Sequence, residues 1–253
     1  MSEPGAGSDL AGMQTSAIRK GDEYTLNGQK TFISNGQLAD IVVTACKTDK
    51  EAGAKGISLL LIECGDQGFS RGRNLEKIGW KAQDTSELFF DDVKIPVDRL
   101  LGEENKGFSY LIEELAQERL IVAIRAASTI EAALENTVRY TKDRKAFGKT
   151  IFSFQNTRFK MAEVKTQASV VRIFVDRCLE LHMRQKLSAD DAAMAKLHST
   201  ETMCSVLDDC LQLFGGYGYM WEFPIARAWA GQRVSRIAGG SSEVMKEIIS
   251  RTL

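Results

Sequence analysis

The amino-acid sequence predicts an α+β protein with a β-barrel-like domain over residues 1–102 and an antiparallel four-helix bundle over residues 103–253. Short runs of β-forming residues, separated by glycine-rich turns and without helical periodicity, fill the first part. After Pro96, apolar residues recur at spacings of three and four over long stretches with short breaks. That second pattern is typical of amphipathic helices packed in a bundle.

The strands of the first domain follow from β-branched and aromatic runs. They are predicted over residues 24–26, 30–33, 41–45, 57–62 and 87–90. Asn27-Gly28 separates the first two runs and is the dipeptide most typical of a two-residue hairpin. We therefore expect a hairpin at that point.

The helices of the second domain follow from apolar periodicity. They are predicted over residues 108–141, 154–186 and 189–214, with a last one over 241–251 that begins at Ser-Ser-Glu. Gly148, the region of Ser188, and Gly215-Gly216 supply the breaks between them. Short connections of this kind favour antiparallel neighbours.

Composition excludes several classes of protein. Lys plus Arg number 33 against 34 Asp plus Glu, so no net field indicates nucleic acid or a membrane surface. No apolar run reaches the roughly 18 residues of a spanning helix. The five cysteines form no CxxC pair, and the two histidines complete no zinc constellation, so we expect reduced thiols in a cytosol-like compartment and no metal site.

One carboxylate interrupts an apolar helical stripe. With helical spacing the stripe comprises Phe108, Leu111, Leu115, Glu118 and Val122. A carboxylate in such surroundings is expected to be partly desolvated, with a raised pKa, which suits a general base. The pattern alone also allows an ion pair between Glu118 and Arg119 or another cation.

Three glycine clusters could let backbone approach a ligand closely: residues 5–8, 215–218 and 239–242. None has the spacing of a dinucleotide fingerprint or a phosphate loop, so turns are the alternative. Arg144 lies in a basic segment, residues 143–149, that fits either an anion site or a solvated helix end.

Several longer segments, in order, resemble the acyl-CoA dehydrogenase family over essentially the whole chain. They are Met-Ser-Glu-Pro-Gly-Ala-Gly-Ser-Asp (residues 1–9), Phe-Ile-Ser-Asn-Gly (32–36), Arg-Lys-Ala-Phe-Gly-Lys (144–149), Gln155, and Gln-Leu-Phe-Gly-Gly-Tyr-Gly-Tyr (212–219). Residues 81–85 and 219–226 look most like the long-chain branch.

The resemblance also identifies a base. Most members of the family carry it as a glutamate in a loop near the C-terminus, where this chain has Gly239. Long-chain and isovaleryl members carry it on the first long helix, where Glu118 matches. The resemblance therefore implies that Glu118 is catalytic and that the substrate contacts Ser8, Ser109, Ala116, Gln117, Arg119, Gly239 and Gly240.

FAD is the cofactor that the resemblance implies. Hydroxyls of Ser2 and Ser34 match groups that bind the isoalloxazine ring, Phe32 lies where an aromatic packs beside it, and Arg144 and Gln155 match contacts from a neighbouring subunit to pyrophosphate and adenosine. The full implied set is Met1, Ser2, Gly7, Ser8, Phe32, Ile33, Ser34, Arg144, Phe147, Gln155, Gln212, Leu213, Phe214, Gly215, Gly216, Ser241, Ser242 and Glu243.

The implied activity is α,β-dehydrogenation of a long-chain acyl-CoA to a trans-2-enoyl-CoA in fatty-acid β-oxidation. Glu118 would remove the α-proton while the β-hydrogen leaves as hydride to FAD, and a backbone N–H at Gly239 would hold the thioester carbonyl. Electrons would pass to electron-transfer flavoprotein. A homotetramer is expected, in the cytoplasm of a bacterium or the mitochondrial matrix of a eukaryote.

Family members begin with a further helical domain that has no counterpart in these 253 residues. A fragment, a misassigned start and a naturally shortened paralogue all fit this observation. A catalytically silent assembly or regulatory subunit, an oxidase and an isovaleryl-type dehydrogenase therefore remain alternatives to the long-chain enzyme.

Overall fold

The computed structural model describes residues 1–253 and divides into two compact units. The sheet unit is Met1–Glu113 and the helical unit is Glu114–Leu253. A sheet domain followed by a helical domain confirms the predicted α+β class. No helix has both the length and the apolar character needed to cross a membrane.

The sheet unit contains one six-stranded sheet. Its strands are β1 Ser16–Lys20, β2 Glu23–Ser34, β3 Ile41–Lys47, β4 Ile57–Glu63, β5 Phe69–Asn74 and β6 Thr85–Pro96, in the spatial order β4-β3-β1-β2-β6-β5. Neighbours are antiparallel except β1 and β3, which pair in parallel. The edge strands β4 and β5 are not paired with each other, so the sheet is open.

The predicted hairpin at Asn27-Gly28 is wrong. Strand β2 runs through it without a break, and the turn to β1 is Gly21-Asp22, because Lys20 pairs with Glu23. Gly28 has a different reason to be glycine: at φ 146° it lies against Thr15, whose Cα is 2.7 Å from the point that a Cβ would occupy. The dipeptide thus marks a bulge with close backbone approach.

Helix α1, Gly107–Glu113, belongs to the sheet unit. Phe108, Tyr110 and Leu111 pack on the buried cluster that includes Met13 and Ile57. This packing places the division between the units after Glu113, whereas the sequence predicts a boundary after residue 102. The long helix predicted over 108–141 is therefore two helices.

The helical unit is built on three long helices, α2 Leu115–Asp143, α3 Gln155–Met183 and α4 Ala189–Leu213. The hairpin β7 Lys145–Ala146 and β8 Lys149–Thr150 connects α2 to α3. Two shorter helices follow, α5 Pro224–Gln232 and α6 Ser242–Ser250. The helices predicted over 154–186, 189–214 and 241–251 are confirmed within a few residues, whereas α5 was not predicted.

Helix α4 is the centre of the helical unit and contacts α2, α3, α5 and α6. Ser188 caps its N-terminus by accepting the N–H of Asp191 at 2.9 Å. Its buried stripe is Ala192, Ala193, Ala195, Lys196, Ser199, Thr200, Met203, Val206, Leu207 and Cys210. One charged residue, Lys196, therefore lies within an otherwise neutral buried face.

Candidate active site

In the sheet unit, a buried ion pair ties the first residues of the chain to β2. Lys30 Nζ lies 2.7 Å from Glu3 Oε1, and the two side chains are almost wholly buried. The Glu3 carboxylate also accepts the backbone N–H groups of Gln14 and Thr15 at 2.6 and 3.1 Å. Thr31 N–H donates to the carbonyl of Ser2 at 2.9 Å, so Ser2 lies beside the C-terminal half of β2.

The pKa values of this pair reflect burial and hydrogen bonding. Burial alone would raise the pKa of Glu3, but the N–H groups of Gln14 and Thr15 and the ammonium of Lys30 outweigh it, and the pKa is lowered. Burial lowers the pKa of Lys30, and Glu3 offsets part of that effect. The carboxylate is hydrogen-bonded both to the ammonium and to the backbone, as a buried ion pair requires.

Phe32 is forced outward by a bulge in β2. The pairing of β2 with β6 shifts register between Lys30 and Ile33, and Phe32 between them has φ 58° and a side chain that is 70% exposed. A positive φ is costly for an aromatic residue and is found where a site demands it. An exposed ring therefore lies next to the Ser2 segment.

The other residues of the sheet unit assigned to the site are placed differently. Gly7, Ser8 and Ser34 are exposed, and a Cβ at Gly7 would meet nothing within 4 Å. Ile33 is half-buried and packs against the core of the sheet. Ser109 is exposed on α1, where its hydroxyl donates to the Lys106 carbonyl at 2.7 Å.

In the helical unit, the structure brings Arg144 together with residues 212–216 around a cavity of about 690 Å³. The lining residues are Tyr140, Arg144, Ala146, Ile151, Gln212, Leu213, Phe214, Gly215, Gly216, Tyr217 and Met220. Tyr140 and Phe214 stack with ring centroids 4.1 Å apart, and the Arg144 guanidinium lies over the Tyr217 ring at 5.7 Å. One cation among aromatic rings and glycine backbone suits a ligand with a ring and an anionic group.

The glycines of this segment have different roles. Gly215 has φ +58° and turns the chain after α4, whereas a Cβ at Gly216 would meet nothing within 4 Å. Gly218 is needed for packing, because a Cβ there would lie 2.4 Å from the Leu211 carbonyl oxygen. Phe147, 94% exposed at the tip of the β7–β8 hairpin, and Gln155, exposed at the start of α3, do not line the cavity.

Glu118 lies on the exposed side of α2, which corrects the expectation of a partly desolvated carboxylate. The predicted stripe is interrupted at Glu114, and the buried face of α2 begins instead with Arg119 and Leu120. Glu118 forms no ion pair with Arg119 or any other cation within 4 Å. Its carboxylate is therefore free to meet a ligand. Ala116 is half-buried and Gln117 is exposed on the same turn.

The Gly239 loop, residues 237–241, lies beside this part of α2. A Cβ at Gly239 would meet only Val122 Cγ2, at 3.9 Å, and Val122 is one turn after Glu118 on the same face. Gly239 and Gly240 have φ values of 68° and 95°. The loop therefore places two left-handed glycines near the candidate base.

Helix α4 holds this loop at two points. The Lys196 ammonium, with no exposed surface, donates to the Gly240 carbonyl at 2.6 Å. Glu201, one and a half turns later, accepts hydrogen bonds from Arg236 Nε at 2.8 Å and from the Ser242 hydroxyl. Arg236 lies just before the loop, Gly240 within it and Ser242 just after it, so the two α4 side chains hold the loop at both ends.

The residues after the loop begin α6. Ser241 is its N-cap and accepts the N–H of Val244 at 3.3 Å, and Ser242 is buried with its hydroxyl committed to Glu201. Glu243 is in the first turn, where backbone and Ser241 hydrogen bonds lower its pKa. The structure therefore gives Ser241 and Ser242 partners within the protein.

Two buried cations lie behind Glu118 and the loop. Arg119 is 7% exposed and its Nε has no hydrogen-bond partner. Burial lowers the pKa of Arg119, against the attraction of Glu118, and burial together with repulsion from Arg119 lowers the pKa of Lys196 to about 8. Arg119 and Lys196 are thus two buried cations without a carboxylate within ion-pair distance.

Sequence reasoning missed Lys196, Tyr140 and Tyr217. A signal for Lys196 was present: it lies at helical spacing among Ala192, Thr200 and Met203, where a lysine needs a partner. Tyr140 and Tyr217 carry no such signal, because an aromatic residue on a helix or in a glycine-rich turn is as often core as cavity wall.

Two known protein domains are similar to this chain. Residues 1–93 match the family model described as acyl-CoA dehydrogenase, middle domain, and residues 105–253 match acyl-CoA dehydrogenase, C-terminal domain. Long-chain specific acyl-CoA dehydrogenase, mitochondrial, from Sus scrofa is 54% identical over 255 residues, which is 100% of this chain and 59% of that protein. The chain thus spans little more than half the length of that relative.

Two further relatives add a structure and an assembly. The crystal structure of an acyl-CoA dehydrogenase from Geobacillus kaustophilus is 51% identical, with a TM-score of 0.97 over 100% of this chain and 67% of that one. A subunit of the caffeyl-CoA reductase–Etf complex of Acetobacterium woodii is 38% identical over 100% of this chain and 67% of its own length. On its two domain matches and these identities, the chain belongs to the acyl-CoA dehydrogenase family.

Proposed function

We propose that the protein catalyses α,β-dehydrogenation of an acyl-CoA thioester with bound FAD, and that Glu118 is its base. The observation that carries this proposal is the placement of an unpaired carboxylate one turn from Val122, against which the Gly239 loop lies. In the family the base belongs either to that loop or to this helix. With glycine at 239, Glu118 is the carboxylate that remains at this place.

FAD fits the residues that are present. The cavity beside Arg144 has a volume in the range of small-molecule sites, a guanidinium for a phosphate group, and open backbone at Gly216. In the sheet unit, Phe32 offers an exposed ring at a strained bulge beside Ser2. Residues 1–102 would accordingly serve as the flavin-binding domain, and residues 103–253 would supply the base and further FAD and subunit contacts.

When bound, FAD supplies the hydride acceptor. The task of Glu118 is to remove the proton on the α-carbon of the thioester. Its carboxylate is exposed and without an ion pair, and Ile121, at the i+3 position on α2, is an exposed apolar side chain. An acyl chain that covers Ile121 would displace water from Glu118, and desolvation raises the pKa of a carboxylate and makes it a stronger base.

The thioester carbonyl needs oriented donors, because an α-proton is otherwise too weakly acidic for a carboxylate to remove. A backbone N–H at Gly239 is the donor that this chain offers. A backbone donor does not depend on the side chain, and the left-handed glycines allow the loop a conformation that other residues adopt only at a cost. Arg119, buried behind the site, adds positive charge where negative charge develops on the carbonyl oxygen.

The similarity to the Sus scrofa protein supports a long acyl chain as the substrate and fatty-acid β-oxidation as the process. The Acetobacterium woodii relative is named as part of a complex with Etf, which supports electron-transfer flavoprotein as the electron acceptor. A homotetramer, and a location in the bacterial cytoplasm or the mitochondrial matrix, complete the proposal.

The test is to incubate the purified protein with FAD, remove excess FAD, and add palmitoyl-CoA without oxygen. We expect the visible absorption of bound FAD to be lost with the native protein and to persist with Glu118→Gln. The matched control is Glu135→Gln, an exposed glutamate on the same helix without an ion pair.

Native protein that takes up no FAD would contradict the proposal and favour a silent assembly subunit. Bleaching of Glu118→Gln at the native rate would remove Glu118 from the mechanism. Faster bleaching by isovaleryl-CoA would move the substrate to the branched class.

A further inference from the structure

We propose that Lys196 is a positioning residue for this reaction: from α4 it fixes the Gly239 loop so that the loop amide stays aimed at the thioester carbonyl. The inference rests on the proposed function and adds to it a residue on a third helix. It is carried by the 2.6 Å bond from Lys196 Nζ to the Gly240 carbonyl oxygen.

The loop needs an external anchor. Two consecutive glycines with positive φ carry no side chains that could lock the backbone, and a Cβ at Gly239 would find nothing nearer than 3.9 Å. An oxyanion donor must hold its N–H within a few tenths of an ångström of the productive position. Anchoring the carbonyl of Gly240 restricts the torsions of both glycines, and so fixes the amide.

Helix α4 provides this anchor at two points. Lys196 holds Gly240, and Glu201 holds Arg236 and Ser242, which lie just before and just after the loop. Gly240 also packs against Met245, whose Cε is 2.5 Å from the position that a Cβ would take. The loop is thus fixed on the side of α4 and Met245, while its side facing Val122 stays open.

A buried lysine lowers the stability of the folded protein, so it is an unfavourable residue for a purely structural anchor. An ammonium without exposed surface loses its hydration, and the hydrogen-bond partner that offsets this loss for Lys196 is a neutral carbonyl, not a carboxylate. The charged groups that face Lys196 are Arg119 on α2, Glu201 on α4 and Glu243 on α6, and its pKa is lowered to about 8. The lysine therefore keeps a positive charge close to the site at neutral pH at the expense of stability, which is characteristic of functional residues.

The experiment compares native protein with Lys196→Met, Lys196→Arg and the control Lys186→Met, an exposed lysine in the connection between α3 and α4. Three quantities are measured: turnover of palmitoyl-CoA against pH, amide hydrogen exchange of peptides covering residues 236–243, and thermal stability. For Lys196→Met we expect turnover to fall by about 10²-fold, since small misplacements cost that much. Amide exchange in residues 236–243 should rise while exchange in α2 and α3 stays native.

The pH profile separates positioning from simple loss of fold. Native turnover should decline above about pH 8 as Lys196 loses its proton, and this limb should be absent from Lys196→Met. Lys196→Arg, which keeps charge and donor, should recover part of the turnover. If the methionine variant fails to fold, Lys196→Gln, with a shorter neutral donor, takes its place.

Native turnover and native loop protection in Lys196→Met would overturn the inference, as would an equal loss in Lys186→Met. Failure of native protein to bleach with palmitoyl-CoA would instead contradict the proposed function, and this inference with it.

Discussion

Val122 lies against the loop of Gly239, with its Cγ2 3.9 Å from the point that a Cβ at residue 239 would occupy. Glu118 precedes Val122 by one helical turn, a rise of about 6 Å along α2. Residues 118 and 239 are therefore both neighbours of Val122, and the proposed function requires side chains at these two positions to face the same space. A carboxylate on either element could serve a substrate bound there.

The first prediction is that the base can be moved between these positions. Glu118→Gly should abolish the bleaching of bound FAD by palmitoyl-CoA, and adding Gly239→Glu should restore a measurable fraction of it. Recovery should be incomplete, because a glutamate at φ 68° costs about 1 kcal/mol or more of strain. Stopped-flow rates of the three proteins provide the comparison, and a double variant as inactive as Glu118→Gly would contradict the shared space.

A second prediction concerns Glu3 and Lys30. Glu3→Gln and Lys30→Met should each destabilise the protein by about 3–5 kcal/mol, since each leaves the partner charge buried without compensation. The double variant should lose less than the sum of the two, and all three should bind FAD more weakly because Ser2 and Phe32 lose their support. Urea denaturation and FAD titration measure these effects.

Acid should reproduce part of the same effect. The pKa of Glu3 is lowered in the folded protein, so its contribution to stability is present above its ordinary pKa of 4.5 and is lost as the pH falls through the lower, folded value. In the mutational experiment, losses of stability from Glu3→Gln and Lys30→Met that simply add in the double variant would show that the two side chains do not act as a pair.

A third prediction separates strain from contact at Phe32. In FAD-free protein, Phe32→Gly should raise the free energy of unfolding by about 1 kcal/mol, because glycine adopts φ 58° without strain. Phe32→Ala should give no such gain, since alanine keeps the strain. Both variants should weaken FAD binding through loss of the exposed ring. Native FAD affinity in Phe32→Gly would show that the ring is not part of the site.

The sequence allowed the two domains and most of their elements to be predicted because their signals are local. Helical periodicity marked α3 and α4 within a few residues, and β-branched runs marked β3 and β4. The hairpin prediction at Asn27-Gly28 was wrong because residue 28 must be glycine for a different reason, its close contact with the backbone of Thr15 on another segment. Helix α5 was missed because its N-cap, Phe223, is not a typical capping residue, whereas Ser241 marks the start of the equally short α6.

The candidate site was also predictable only in part. Motifs singled out Glu118 and the cofactor segments as candidates, but the exposure of Glu118 was not predicted, because apolar spacing alone does not show that the helix is interrupted at Glu114. The bulge that exposes Phe32 depends on pairing with β6, and the bond from Lys196 to Gly240 joins residues far apart in sequence. Such tertiary relationships leave little local trace.

A fourth prediction concerns alkaline stability. Lys196 has its pKa lowered to about 8 from 10.5, so the folded state bears the cost of its charge below about pH 8 and is relieved of it as the pH rises toward 10.5. Compared with Lys196→Met, native protein should therefore gain a few kcal/mol of relative stability between pH 7 and pH 10. Urea denaturation of both proteins at each pH gives the difference. A difference independent of pH would contradict the lowered pKa.

The central claim is that Glu118 removes the α-proton of a bound acyl-CoA. Its most direct measurement is deuterium incorporation at the α-carbon of palmitoyl-CoA in D₂O, followed by mass spectrometry on the recovered thioester in the presence of the FAD-loaded protein. We predict exchange with native protein and Glu135→Gln, and a fall of at least about 10²-fold with Glu118→Gln while FAD remains bound. Undiminished exchange in Glu118→Gln would contradict the account.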